Sequence, residues 1–168
     1  MENFCFDFVI ATRDHDKTVE RYETILGMTP IELDPESMPE EGSRCTVFLL
    51  WNEGDKGMCL SIISSTFPDS IANRQLDKYG EGLVLFGIDV PDVNETVARA
   101  KQVGVEFVDE TPMPYDYGEL VFAKRETTNN IPFFFSLHKK GWWEKTLNGG
   151  KDVDKPQELY RTTDKRLE

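Results

Sequence analysis

Apolar and polar positions alternate from Phe4 to Ala11, with Phe4, Phe6, Phe8 and Ile10 on one face and Cys5, Asp7 and Val9 on the other. That period of two predicts a strand. The period then lengthens to that of a helix: Val19, Tyr22 and Leu26 form an apolar stripe over Lys17 to Leu26, with Asp14 or Asp16 as N-cap and Gly27 just past the end. The same order of patterns returns in the second half. Leu83 to Val90 predicts a strand, Asp92 and Glu95 have the spacing of a capping box, Val93, Val97 and Ala100 form the stripe, and Gly104 ends the helix. A repeated strand–helix unit predicts two similar modules with a cleft between them.

Each unit continues with further strands. In the first, Thr29 to Leu33 predicts a short strand, and Asp34 to Gly42 an acidic, proline-containing loop. Arg44 to Trp51 and Met58 to Ile63 predict a hairpin. In the second, Val105 to Asp109 predicts a strand, and Thr111 to Gly118, with two prolines, a loop. Glu119 to Lys124 and Ile131 to Leu137 predict a closing hairpin. A short helix is expected near Asn73 to Lys78. The division is a first β-α-β-β-β module over 1–65, a linker over 66–82, a second module over 83–138 and a C-terminal extension over 139–168. In that extension the adjacent Trp142 and Trp143 are expected to pack back onto the body, because two such rings left in water would form an unusual apolar patch. The residues that follow read as polar and extended.

Composition narrows the function classes. The chain has 168 residues and a net charge of −12. The last 31 residues hold 8 basic against 6 acidic groups, which leaves 11 basic against 25 acidic in the body. Such a body repels nucleic acid and anionic membranes. No apolar run reaches the ~20 residues of a membrane helix, and the start, Met1-Glu2-Asn3, has no basic signal-type region. A cytoplasmic protein is expected. Cys5, Cys45 and Cys59 all fall in predicted strands, and an odd number without CxxC spacing argues for buried free thiols over a disulfide framework.

The strand FDFVIATRD, the helix KTVERYETILG with its Tyr-x-x-x-Leu-Gly ending, and the run IDVPDVNETVARAKQVGVEFV resemble the vicinal oxygen chelate superfamily. That group includes glyoxalase I, methylmalonyl-CoA epimerase, extradiol dioxygenases and bleomycin resistance proteins. The resemblance implies an α+β fold in which two β-α-β-β-β modules form a cleft between curved mixed sheets, and it implies a homodimer. The metal enzymes of the group take His or Glu ligands from the first and last strand of each module. Here those positions fall on Asp7, near Ser61, on Leu85, and on Phe133 or Phe134. A divalent cation needs several N, O or S donors converging on one point. Asp7 alone does not supply them, so neither a metal nor another cofactor is expected.

Asp7 is then the first candidate for acid–base chemistry, since desolvation between aromatic rings raises a carboxyl pKa. Glu119 is a candidate second carboxylate. His138, on the strand face of Phe134 and Ser136, is a candidate proton shuttle, although a strand-end His beside Lys139 and Lys140 is expected at the surface. His15, between Asp14 and Asp16, also reads as surface. Tyr115 and Tyr117 are candidate proton donors that a loop would place on the rim. Cys5, Trp51, Cys59, Ser61, Leu85, Phe134 and Ser136, with those two tyrosines, are the expected lining of a pocket for a flat or cationic organic molecule. Three functions follow: a metal-independent binding protein of the bleomycin-resistance type; an isomerase, epimerase or lyase that moves a proton with Asp7; or an accessory protein that docks through the Trp142-Trp143 tail.

Overall fold

A computed structural model describes residues 4–38, 42–53, 56–115 and 117–149. Eight strands form a single curled sheet in the order β2-β3-β4-β1-β5-β8-β7-β6. Strand β1 (Phe4–Ala11) leads into helix α1 (His15–Leu26), then β2 (Ile31–Glu32), β3 (Ser43–Glu53) and β4 (Lys56–Ser65). Helix α2 (Ile71–Tyr79) connects to β5 (Gly82–Asp89), α3 (Val93–Gln102), β6 (Met113–Tyr115), β7 (Gly118–Phe122) and β8 (Phe133–His138), and a short helix α4 (Trp142–Leu147) follows. The repeat is visible in the pairing. In each half the first strand runs parallel to the last, β1 with β4 and β5 with β8, and β1 and β5 join the halves antiparallel at the centre.

The helix signals work locally as expected. The Asp14 side chain caps α1 by accepting from Lys17 N, and Gly27 closes the helix at φ 63°, a conformation that glycine adopts without a Cβ penalty. Asp92 caps α3 at 2.8 Å from Glu95 N. His15 departs from expectation. It is buried, with Nε2 at 2.8 Å from Thr46 Oγ1 and Nδ1 at 2.9 Å from Ser64 Oγ, because the first turn of α1 lies directly on β3 and β4. Burial, reinforced by the charge of Arg44, lowers its pKa.

The second half differs from its pattern in two places. Val105 to Asp109 is not a strand. It keeps one bridge, Phe107 to Ala123, and Phe107 drops into the cluster beneath α3 with Val93, Val97 and Val121. The proline-rich stretch, expected to be a loop, contains β6. Pro114 is tolerated there because β6 is the edge of the sheet, where a missing N–H breaks no ladder.

The sheet's concave face carries Cys5 and Val9 from β1, Cys45 and Val47 from β3, Cys59 from β4, Leu85 from β5, and Leu120 and Phe134 from β7 and β8. All three cysteines are free and buried. Phe6, Phe8, Phe86 and Phe133 stand on the opposite face as a chain of ring contacts at 5.1–5.7 Å. Among the described residues no helix is long and apolar enough to cross a membrane.

The C-terminal extension is built into this face. After β8 the chain turns at Gly141, φ 79°, into α4, and the tryptophans pack inward as expected, Trp142 at 5% exposure and Trp143 at 0%. The six-residue helix itself was not expected. Trp143 sits where a side chain on Gly57 of β4 would be: a Cβ built there would lie 1.6 Å from the indole. Asp34 N then bonds Gly149 O at 2.5 Å, so the segment leaves the second half, crosses, and ties to the first. The expected polar tail beyond Gly149 lies outside the described residues. We expect Gly57→Ala to destabilise the fold by about 1–3 kcal/mol through overpacking, and Trp143→Ala by about 3–5 kcal/mol through a cavity. Urea unfolding monitored by circular dichroism measures both.

Candidate active site

The concave face forms a half-open cavity of about 180 Å³, bounded by the sheet, by Ile71 and Ala72 of α2, and by Trp142 and Thr146 of α4. Its wall is mostly apolar, and its polar atoms fall into two groups.

The first group centres on Asp7. Strand β1 pairs in parallel with β4, which brings Cys59 and Ser61 alongside. Asp7 Oδ1 accepts from Ser61 Oγ at 2.7 Å and from Cys59 Sγ at 3.3 Å. Both bonds fall on Oδ1, and among the described residues Oδ2 receives none. Burial pushes the Asp7 carboxyl above its ordinary pKa, and the charge of Asp89 adds to this; the bonds from Ser61 and Cys59 and the nearness of His138 only partly offset it. Asp7 is therefore biased toward its protonated form, in which Oδ2–H is a donor.

The second group is a chain of hydrogen bonds from the last residue of β5 to the edge strand. Asp89 is 4% exposed. Its Oδ1 accepts from Ser136 Oγ at 2.7 Å and from His138 Nδ1 at 2.6 Å. With Nδ1 as donor, His138 Nε2 is the acceptor for the Tyr115 hydroxyl at 2.8 Å. Burial first, then the charge of Asp89, pushes the Tyr115 phenol well above its usual pKa, so it carries its proton. Trp142 stacks on the His138 ring at 4.2 Å and 23°, and Trp143 stacks on Trp142 at 4.0 Å and 30°. The imidazole is thus held in plane by a ring and in orientation by two hydrogen bonds. The phenol, the imidazole and the Asp89 carboxyl are hydrogen-bonded in series, an arrangement through which a proton can pass from the phenol to Nε2.

Most of the expected site residues meet here. Cys5, Asp7, Cys59, Ser61, Leu85, Tyr115, Tyr117, Phe134, Ser136 and His138 all line the cavity. His138 and Tyr115 are not surface or rim groups, because α4 covers the first and β6 carries the second inward. Two expected residues are elsewhere. Leu120 and Phe122 line the cavity, so strand alternation turns Glu119 to the other face. Trp51 is 40% exposed: the β3–β4 register shifts after Leu49, and Trp51 pairs with Met58 on the outer face. Asp89 was missed. The available signal was its parity with Leu85 and Gly87 along β5, which puts it on the cavity face. Trp142 and Trp143 are consumed inside the chain and are not available to dock a partner.

The donor set does not fit a divalent cation. At the positions from which the superfamily's metal enzymes take ligands stand Asp7, Ser61, Leu85 and Phe134, of which one is a carboxylate. The neighbouring sulfurs are buried, and their surroundings favour the thiol over the thiolate. For Cys59 the bond with Cys5, burial and Asp7 all raise the pKa; for Cys5 the bond with Cys59 pulls the other way and is outweighed by burial and the charges of Asp7 and Asp89. Burial raises Cys45 as well. Among the described residues no three His, Cys, Asp or Glu side chains converge.

Comparison with known proteins places this geometry in a family. The chain resembles a methylmalonyl-CoA epimerase solved with methylmalonyl-CoA and NH4+, at 23% identity and a TM-score of 0.68, covering 79% of this chain and 92% of the other. A variant of the Streptomyces coelicolor methylmalonyl-CoA epimerase, in complex with 2-nitronate-propionyl-CoA, matches to the same extent: 23%, 0.68, 79% and 92%. Methylmalonyl-CoA epimerase from Mycobacterium tuberculosis matches at 20% identity and a TM-score of 0.61, covering 80% and 86%. At these identities the likeness is one of fold. No curated protein matches the sequence. The family model of the Glyoxalase/Bleomycin resistance protein/Dioxygenase superfamily matches residues 6–131, and the chain belongs to that superfamily.

Proposed function

We propose that the cleft binds a small organic molecule and moves a proton on it with the protein's own side chains, without a metal. The observation that carries this reading is the Asp89–His138–Tyr115 chain, which ends in the same cavity as Asp7. The reaction class is proton transfer next to a carbonyl, as in an isomerase or epimerase. Tyr115 Oη removes the proton from carbon as its own proton passes to His138 Nε2, and Asp89 stabilises the imidazolium. The electron pair of the broken C–H bond moves to the carbonyl oxygen, where Asp7 Oδ2–H donates to the developing charge. Return of the proton to the same carbon, or to a conjugated one, completes the cycle. Asp7 thus takes the electrostatic role that a metal plays elsewhere. The mostly apolar wall favours a second reading, sequestration without turnover, and exchange chemistry separates the two.

In D2O the protein should accelerate deuterium exchange at the α-carbon of simple ketones and thioesters, read by proton NMR. Tyr115→Phe and His138→Gln should each lose about 10²–10⁴-fold of that acceleration while still binding the compound. A compound that binds with no exchange above buffer would leave sequestration.

The carboxyl of Asp7 gives a second prediction, in stability. The native state holds this proton more tightly than the unfolded chain, so above the ordinary value of 3.8 the native state binds more protons and stability falls as pH rises toward the folded pKa. Asp7→Asn removes that loss. Its Tm relative to wild type should therefore rise between acidic and neutral pH, and the advantage should vanish below about pH 4. An Asn variant whose Tm deficit is constant across that range would mean that Asp7 titrates normally.

A further inference from the structure

We infer that the part of the ligand held in the cleft is an uncharged carbonyl group on about one ring's worth of carbon, not an acid or a phosphate. This deepens the reading just given and rests on it.

Size is the first constraint. The cavity holds about 180 Å³. Sites for drug-sized ligands run from about 300 to 1,000 Å³, whereas an apolar cavity of about 150 Å³ is filled by benzene. A single six-membered ring with a short substituent fills this one.

Charge is the second. Among the described residues that line the cavity there is no Lys or Arg. An anion placed there would have Asp89 behind His138, and would lose its hydration for no Lys or Arg in return. A cation fares little better. The carboxyl of Asp7 is biased toward its neutral form, and its Oδ1 is already occupied by Ser61 and Cys59. A carbonyl oxygen, by contrast, asks only for donors. This narrows the expected ligand from aromatic or cationic to uncharged.

Three probes of one shape and three charges test the inference: acetophenone, benzoate and benzylammonium, with methylmalonyl-CoA as a fourth. Binding is read by calorimetry and by quenching of tryptophan fluorescence, since Trp142 lines the cavity. Leu85→Trp and Ala72→Phe each fill it from a different wall, and a thermal melt shows which of them is folded. Acetophenone should bind at least about tenfold more tightly than either ion, and a folded filled variant should lose it. If an ion or methylmalonyl-CoA binds as tightly as acetophenone, and a filled variant abolishes that binding, the ligand class is wrong while the cleft remains the site. If no probe binds, or if filling changes nothing, the reading of the cleft falls with it.

Discussion

A carboxylate buried at the end of a strand needs partners, and the way Asp89 obtains them organises one whole end of this protein. An unpaired polar group in that position would cost several kcal/mol. Ser136 and His138 satisfy one of its oxygens, and both lie on β8, the parallel neighbour of β5. The bond to Nδ1 fixes which nitrogen of His138 faces the cavity. The ring so fixed becomes a platform for Trp142, Trp142 for Trp143, and Trp143 fills the notch at Gly57 in the other half of the sheet. Asp89 therefore heads a series of contacts that orients a histidine and reaches the C-terminal helix over the cavity.

This arrangement sits on a shared fold. The family match ends at residue 131, and the solved neighbours cover about four-fifths of the chain. His138, Trp142 and Thr146 all come after that point. The strands that bring metal ligands together elsewhere still converge here, but they deliver Asp7, Ser61, Leu85 and Phe134. What the superfamily scaffold contributes is the curled sheet and its concave face. The polar groups that can act are set partly by β1 and β4, and partly by the end of β8 and the segment beyond it.

The scaffold was legible because its signals are local and repeated: alternation along β1 and β5, capping at Asp14 and Asp92, and a glycine after α1. Alternation also put Cys5, Asp7, Ser61, Leu85 and Phe134 on the cavity face. What stayed hidden depends on contacts distant in sequence. Asp89 looks like part of the helix-capping run until β8 brings His138 beside it. His15 looks solvated between two aspartates until Thr46 and Ser64 reach it from β3 and β4. Pro114 looks like a breaker until the sheet order makes β6 an edge. Glu119 and Trp51 were misplaced for a related reason, since each lies one residue, or one register shift, from the face that lines the cavity. The helix α4 has six residues and no side-chain cap, too little for a periodic signal, and its burial comes from residues distant in sequence, among them Leu33, Val47 and Gly57.

We propose that the cleft works through protein side chains alone. The most direct test is elemental analysis of the purified protein, challenged with zinc, manganese, nickel, cobalt and iron and then dialysed, beside Asp7→Asn treated in parallel. Well under one equivalent of any metal per chain is expected, and the same for the variant. One equivalent retained by the wild type and lost in Asp7→Asn would contradict the proposal, and would make the carboxyl of Asp7 a ligand rather than an acid.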